Sequence, residues 1–338
     1  MIPKGTGWQY LRSLSLDVIP PGARVFYTHA VPLHVWRRNG AFNVISCTKK
    51  EIVIEAAGIE IGMALLADTE YLLDHAAEHR AIIFDIVTSS EWHSPAWAVV
   101  TSYYWAFYSA LALTRLVGES TWFLDRNALT ELKILAGATE QPGAGALHLS
   151  VMPYNTATTR TIKLHPTKAQ LHDSVWIAVQ QTISDVFTHT NEDSDSKEYR
   201  LWLALKSAGN LLGSDWASKL RNAVNYRSGC GYREVIRSGE IDFARHLWHR
   251  TPATMEDLIG SFEDEIVKIS PRLQPAENVK EISRLLGLYS ILMTAIVSEL
   301  HYEVLDRQGG DQRWSMLRAR FFAERCSSSV NKVWPFSD

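Results

Sequence analysis

Residues 102–117 read SYYWAFYSALALTRLV, and from Ser94 to Thr114 no side chain carries a charge. That is 21 uncharged residues, long enough to cross the hydrocarbon of a bilayer. The composition points elsewhere. Thr101, Ser102, Tyr103, Tyr104, Tyr108 and Ser109 spread hydroxyls through its middle, whereas the aromatics of a membrane helix gather at its two ends and basic residues cluster on one flank. A helix apolar on every side is otherwise the central helix of a large helical domain. Ser94 followed by Pro95 supplies a cap and a first-turn proline, so the helix is expected from about Pro95 to Val117.

Working outward, the first sixty residues differ from the rest. RVFYTHAVPLHVW, FNVISC and EIVIEAAGIEIG are rich in β-branched and aromatic residues and read as short strands. From Met63 the pattern turns helical, through MALLADTEYLLDHAAEHR and AIIFDIV to the central helix, and RNALTELKILAG reads as a further helix stopping at Gly137. Residues 138–166 are rich in Gly and Pro, and LHLSV and TRTIKL alternate as an inserted hairpin. Helices resume with KAQLHDSVWIAVQQTISDVFTH and, after the acidic loop TNEDSDSKE, continue through YRLWLALKSAGNLL, DWASKLRNAVNYR, IDFARHLWHR, TMEDLIGSFEDEIVKI, AENVKEISRLLGLYSILMTAIVSELHYEVLDR and RWSMLRARFFAER. The expected fold class is mainly α: a helical bundle with a β-rich amino-terminal segment, 1–61, and a helical domain, 62–338, interrupted by a small inserted hairpin at about 138–166.

The chain has 338 residues, 46% hydrophobic and 21% charged, ample for a buried core. A formal net charge of -3 excludes a wholesale basic surface and confines any polyanion site to a local patch. Cys47, Cys230 and Cys326 are far apart and show neither a disulfide framework nor zinc spacing. With no continuous apolar run at the amino terminus, a cytoplasmic location and no membrane association are expected.

In DWASKLRNAVNYRSGCG, a helix over 215–227 puts Arg221 and Asn225 on one stripe and Asn222 and Tyr226 on the next. Here the sequence resembles the HEPN family. SYYWAFYSALAL is similar to the family's second-helix signature, and LRNAVNYR to the later helix on which HEPN ribonucleases carry an Arg, a polar residue and, four to six residues on, a His. The resemblance covers about 95–250. It implies a helical bundle, a homodimer or hetero-oligomeric complex, and metal-independent attack of an RNA 2′-hydroxyl on its neighbouring phosphate, with no cofactor. Arg221 matches the family Arg and Asn222 the polar residue. Tyr226 stands where His is expected, and a phenol with an ordinary pKa of about 10 is a poor base.

Charge around this helix supports an anionic ligand. Within 219–250, seven basic residues (Lys219, Arg221, Arg227, Arg233, Arg237, Arg245 and Arg250) stand against Glu234, Glu240 and Asp242, a formal +4. His246 and His249 add proton-dependent charge, and Trp248 and Tyr232 offer stacking surfaces. The expected function is RNA binding by a HEPN-like protein, with endoribonuclease activity in a toxin or antiviral defence setting. Arg221, Asn222 and Tyr226 form the catalytic group, and Asn225, Arg227, Arg233, Arg237, Arg245, His246 and His249 contact substrate. The alternative is a non-catalytic helical subunit that docks onto a protein partner. His75, Glu78 and His79 also match the H-x-x-E-H string of inverted zinc peptidases. No third ligand can be singled out, and no metal is assigned.

Overall fold

The computed structural model describes residues 2–25, 30–88, 94–152, 158–169, 171–191, 193, 196–226, 254–269 and 279–308. Among these residues the chain is mainly α, with ten helices and one five-stranded sheet. In chain order they are α1 (Thr6–Val18), α2 (Leu33–Asn39), β1 (Phe42–Cys47), β2 (Ile52–Ala57), α3 (Gly58–Thr88), α4 (Pro95–Leu116), β3 (Glu119–Leu124), α5 (Arg126–Leu135), β4 (Gly145–Val151), β5 (Thr159–Pro166), α6 (Leu171–Thr188), α7 (Lys197–Leu212), α8 (Trp216–Tyr226), α9 (Met255–Lys268) and α10 (Val279–Gln308).

The uncharged stretch is α4, and the bundle is built around it. It packs most extensively against α3 and α10 and also touches α6, α8 and β3. Several of its polar groups find partners across these interfaces, which helps a polar middle to be tolerated, although Ser102 Oγ is buried with no hydrogen-bond partner among the described residues. Trp105 Nε1 donates to Thr294 Oγ1 on α10 at 2.8 Å, and Ser109 Oγ lies 2.8 Å from the same oxygen. Ser290 Oγ on α10 donates to the Ser102 carbonyl at 3.1 Å. Among the described residues the helix long and apolar enough to cross a membrane is not α4 but Glu281–Arg307 within α10, and 78% of its apolar window is buried inside the protein.

The sheet runs in the order β1-β2-β5-β4-β3, every pair antiparallel. The 147–164 hairpin is therefore the centre of a sheet whose one side is completed by the amino-terminal strands and whose other side is β3. Alternation decides the buried face: Ile52 and Ile54, Leu147 and Leu149, and Ile162 and Leu164 are all sealed from solvent.

One expected strand is overturned, and a second, EIVIEAAGIEIG, keeps only Ile52–Ala57 as β2. No described residue of RVFYTHAVPLHVW lies in a strand, and its last four belong to the helix Leu33–Asn39. Pro32 presets the entry, Leu33 and Trp36 bury one face three residues apart, and Gly40 ends the turn at φ 66. GIEIG belongs to α3 rather than to a strand: Ile59 is exposed while Ile61 and Leu65 are buried, the helical period rather than alternation. The amino terminus also opens with a helix, α1, whose first-turn N–H groups are capped from a distance. Glu198 Oε1, in the first turn of α7, accepts from Gly5 N at 3.0 Å and Trp8 N at 2.7 Å. IDFARHLWHR and RWSMLRARFFAER lie outside the described residues.

Candidate functional site

The consecutive aromatics of α4 each take a different neighbour. Trp105 turns to α10, Tyr104 and Tyr108 turn to α3, and Tyr103 and Phe107 turn to α6 and α8. Tyr103 is fully buried, and a buried phenol needs hydrogen-bond partners. Its Oη lies 2.8 Å from His172 Nδ1 at the start of α6 and 3.2 Å from Ser218 Oγ on α8. Trp176 Nε1, one turn after His172, donates to it at 3.4 Å.

Arg221 closes this cluster from α8. Trp216, Ala217, Leu220, Ala223 and Val224 bury one face of the helix against the bundle. Arg221 sits at the edge of that face, half-buried, with its guanidinium 5.2 Å from the Tyr103 ring centroid. Asp215, the nearby acidic residue in sequence, does not neutralise it, because Asp215 is paired with Lys219 at 2.8 Å. Among the described residues no carboxylate forms an ion pair with Arg221, and its Nε is buried without a hydrogen-bond partner.

These contacts set the electrostatics. Burial pushes the Tyr103 hydroxyl above its ordinary pKa, while hydrogen bonds from Ser218 and Trp176 and the charge of Arg221 oppose the rise. His172 is held below the ordinary histidine range, first by burial and then by the positive charge of Arg221, with Asp173 opposing. A neutral imidazole beside a guanidinium is thus the resting state at neutral pH.

Of the residues singled out from sequence, Arg221 meets the SYY motif. Asn222, Asn225 and Tyr226 are exposed on α8, Tyr226 at 76%. Arg227, Arg233, Arg237, Arg245, His246 and His249 lie outside the described residues, as do Tyr232, Trp248 and Arg250. His172, Ser218 and Trp176 were not anticipated. Ser218 leaves a trace, a small polar residue beside an apolar helix stripe. A single His in KAQLHDSVW leaves none.

The H-x-x-E-H string lies on α3, and its rings face aromatics. His75 stacks on Tyr108 at 4.9 Å and His79 on Tyr104 at 5.4 Å, while Glu78 lies 3.3 Å from His75 Nδ1. Among the described residues no group of three His, Cys, Asp or Glu is placed to hold a metal ion.

No family model, curated protein or solved structure matches the chain.

Proposed function

We propose that the chain is a HEPN-like RNA-binding protein of the cytoplasm, working as a homodimer or within a hetero-oligomeric complex, and that Arg221 contacts the RNA phosphate. One observation carries this reading. A half-buried guanidinium that rests on the Tyr103 ring, with no carboxylate partner and an unpartnered Nε among the described residues, is a charge that an anionic ligand would neutralise. The formal +4 across 219–250 adds to it, and the free, buried thiol of Cys47 accords with a reducing compartment.

The same cluster supports a metal-independent endoribonuclease of the toxin or antiviral type despite Tyr226. In the tautomer whose Nδ1–H donates to Tyr103 Oη, His172 Nε2 is the basic nitrogen. The 2′-oxygen attacks phosphorus as its proton passes to Nε2, and the bond to the 5′-oxygen breaks. That oxygen takes a proton from water, and the hydroxide so formed takes back the proton held at Nε2, leaving a 2′,3′-cyclic phosphate, a 5′-hydroxyl and the neutral base, while Arg221 offsets the charge that builds on the phosphoryl oxygens. A second reading, a non-catalytic subunit that docks onto a protein, is favoured by Tyr226, a residue 76% exposed where a His is expected.

The test incubates the full chain with mixed single-stranded RNA in EDTA, beside Arg221→Ala and His172→Asn. Cyclic-phosphate ends from the wild type alone support the nuclease. RNA held through Arg221 without cleavage leaves the binding reading and removes the nuclease. Neither retention nor cleavage removes both and leaves the docking subunit.

A further inference from the structure

A cavity of about 410 Å³ lies between α1, α6 and the β3–β4 edge of the sheet, within the ~300–1,000 Å³ typical of small-molecule sites. We propose that it binds a small organic cation, a primary amine or guanidinium carried on an apolar body, with Glu119 and Asp185 holding the charge. This is independent of the Arg221 cluster. Along α6, His172 and Trp176 turn to Tyr103, whereas Ile177, Ala178, Gln181 and Asp185 line the cavity.

The chemistry of the lining selects the ligand. Leu14, Val117, Ile177 and Ala178 supply apolar wall, and among the described residues no Lys or Arg lines the cavity. Both acids are held in place. Glu119 accepts from Ser150 Oγ at 2.9 and 3.0 Å and pairs with His148 Nε2 at 2.5 Å, and Asp185 accepts from Gln181 Nε2 at 2.8 Å. Glu119 has one proton-dependent partner, His148, and Asp185 is held by a neutral amide, so the lining favours a cation over an anionic ligand.

His148 makes the site a competition between ligand and proton. Its hydrogen bond to Glu119 raises its pKa, with burial opposing. The other groups around it are His165, its cross-strand partner on β5, which faces Glu51 at 3.9 Å, Lys163, cross-strand from Ser150, and, across the cavity, Asp185 and Tyr10, the latter stacked on His189 at 3.7 Å. While His148 is protonated, Glu119 is already neutralised. Once it loses the proton, the carboxylate is free for the ligand, so affinity for a permanently protonated amine rises with pH.

Calorimetric titration of the full chain with phenethylamine, and with 3-phenylpropionate as the charge-reversed counterpart, tests this. The amine is expected to bind, more tightly at about pH 8 than at about pH 5.5, on either side of the histidine range. The acid is expected to give no heat. Asp185→Asn and Glu119→Gln are each expected to weaken the amine about tenfold, the loss of one charge-assisted contact. Asp185 is the safer variant, being part-exposed on α6. Absence of amine binding, equal binding of the acid, an affinity that does not rise with pH, or indifference to both variants would overturn the assignment. None of these results bears on RNA.

Discussion

The guanidinium of Arg221 lies 5.2 Å from the ring centroid of Tyr103. Residues 118 apart in sequence, each from a motif that pointed toward nucleic-acid chemistry, therefore meet face to face where α4, α6 and α8 converge. Tyr103 is the pivot: its ring carries Arg221 and its hydroxyl anchors His172 and Ser218.

Removing the hydroxyl alone separates these two roles. Tyr103→Phe keeps the ring beneath Arg221 but leaves Ser218 and Trp176 without a buried partner. Urea unfolding is expected to show a loss of about 1–3 kcal/mol, with Arg221-dependent RNA retention preserved. Loss of retention in a folded variant would mean that the hydroxyl, not the ring, positions the guanidinium.

Two histidines are expected to titrate on opposite sides of their ordinary pKa. The contact with Glu119 raises His148, so its contribution to stability is full below about pH 6.5 and is lost as pH rises through the raised value. Burial and Arg221 lower His172, so the folded state is favoured above about pH 6.5 and loses that contribution as pH falls through the lowered value. Imidazole NMR titration, with His148→Gln and His172→Asn to assign the signals, reads both directions at once.

Thr294 tests why α4 tolerates a polar centre. Thr294→Val strips the acceptor from the buried Trp105 Nε1 and one of two partners from Ser109 Oγ, which keeps its bond to the Trp105 carbonyl. A loss of about 1–3 kcal/mol is expected for an unsatisfied buried group. A neutral result would show that the α4–α10 interface is held by apolar packing alone.

Glu198 ties α7 to the amino terminus of α1. Glu198→Ala removes the acceptor of two backbone N–H groups and is expected to cost about 1–2 kcal/mol, as for a lost helix cap. Hydrogen exchange should accelerate first at Gly5 and Trp8. Unchanged exchange there would mean that the cap is replaced by water.

Local signals placed α4, α5, β1, β4 and β5, because Ser94-Pro95, Asp125, Gly137 and strict alternation act within a few residues. Where tertiary burial outweighed propensity the sequence misled. In Leu33–Asn39 the β-branched and aromatic character suggested a strand, yet Leu33 and Trp36 bury a helical face. β3 went unread because ESTWFL sits between two helical patterns and owes its strand to pairing with β4. In the candidate site, Arg221 was legible from its motif. His172 was not, since nothing local says that α6 will bring it 2.8 Å from Tyr103 Oη.

The most direct test of the central claim is fluorescence anisotropy of a labelled single-stranded RNA against the full chain, wild type beside Arg221→Ala, at low and moderate salt. The account predicts retention that weakens with salt and falls about tenfold or more in the variant, as expected for a lost charge-assisted phosphate contact. Equal retention by the two folded proteins, or none by either, would contradict it.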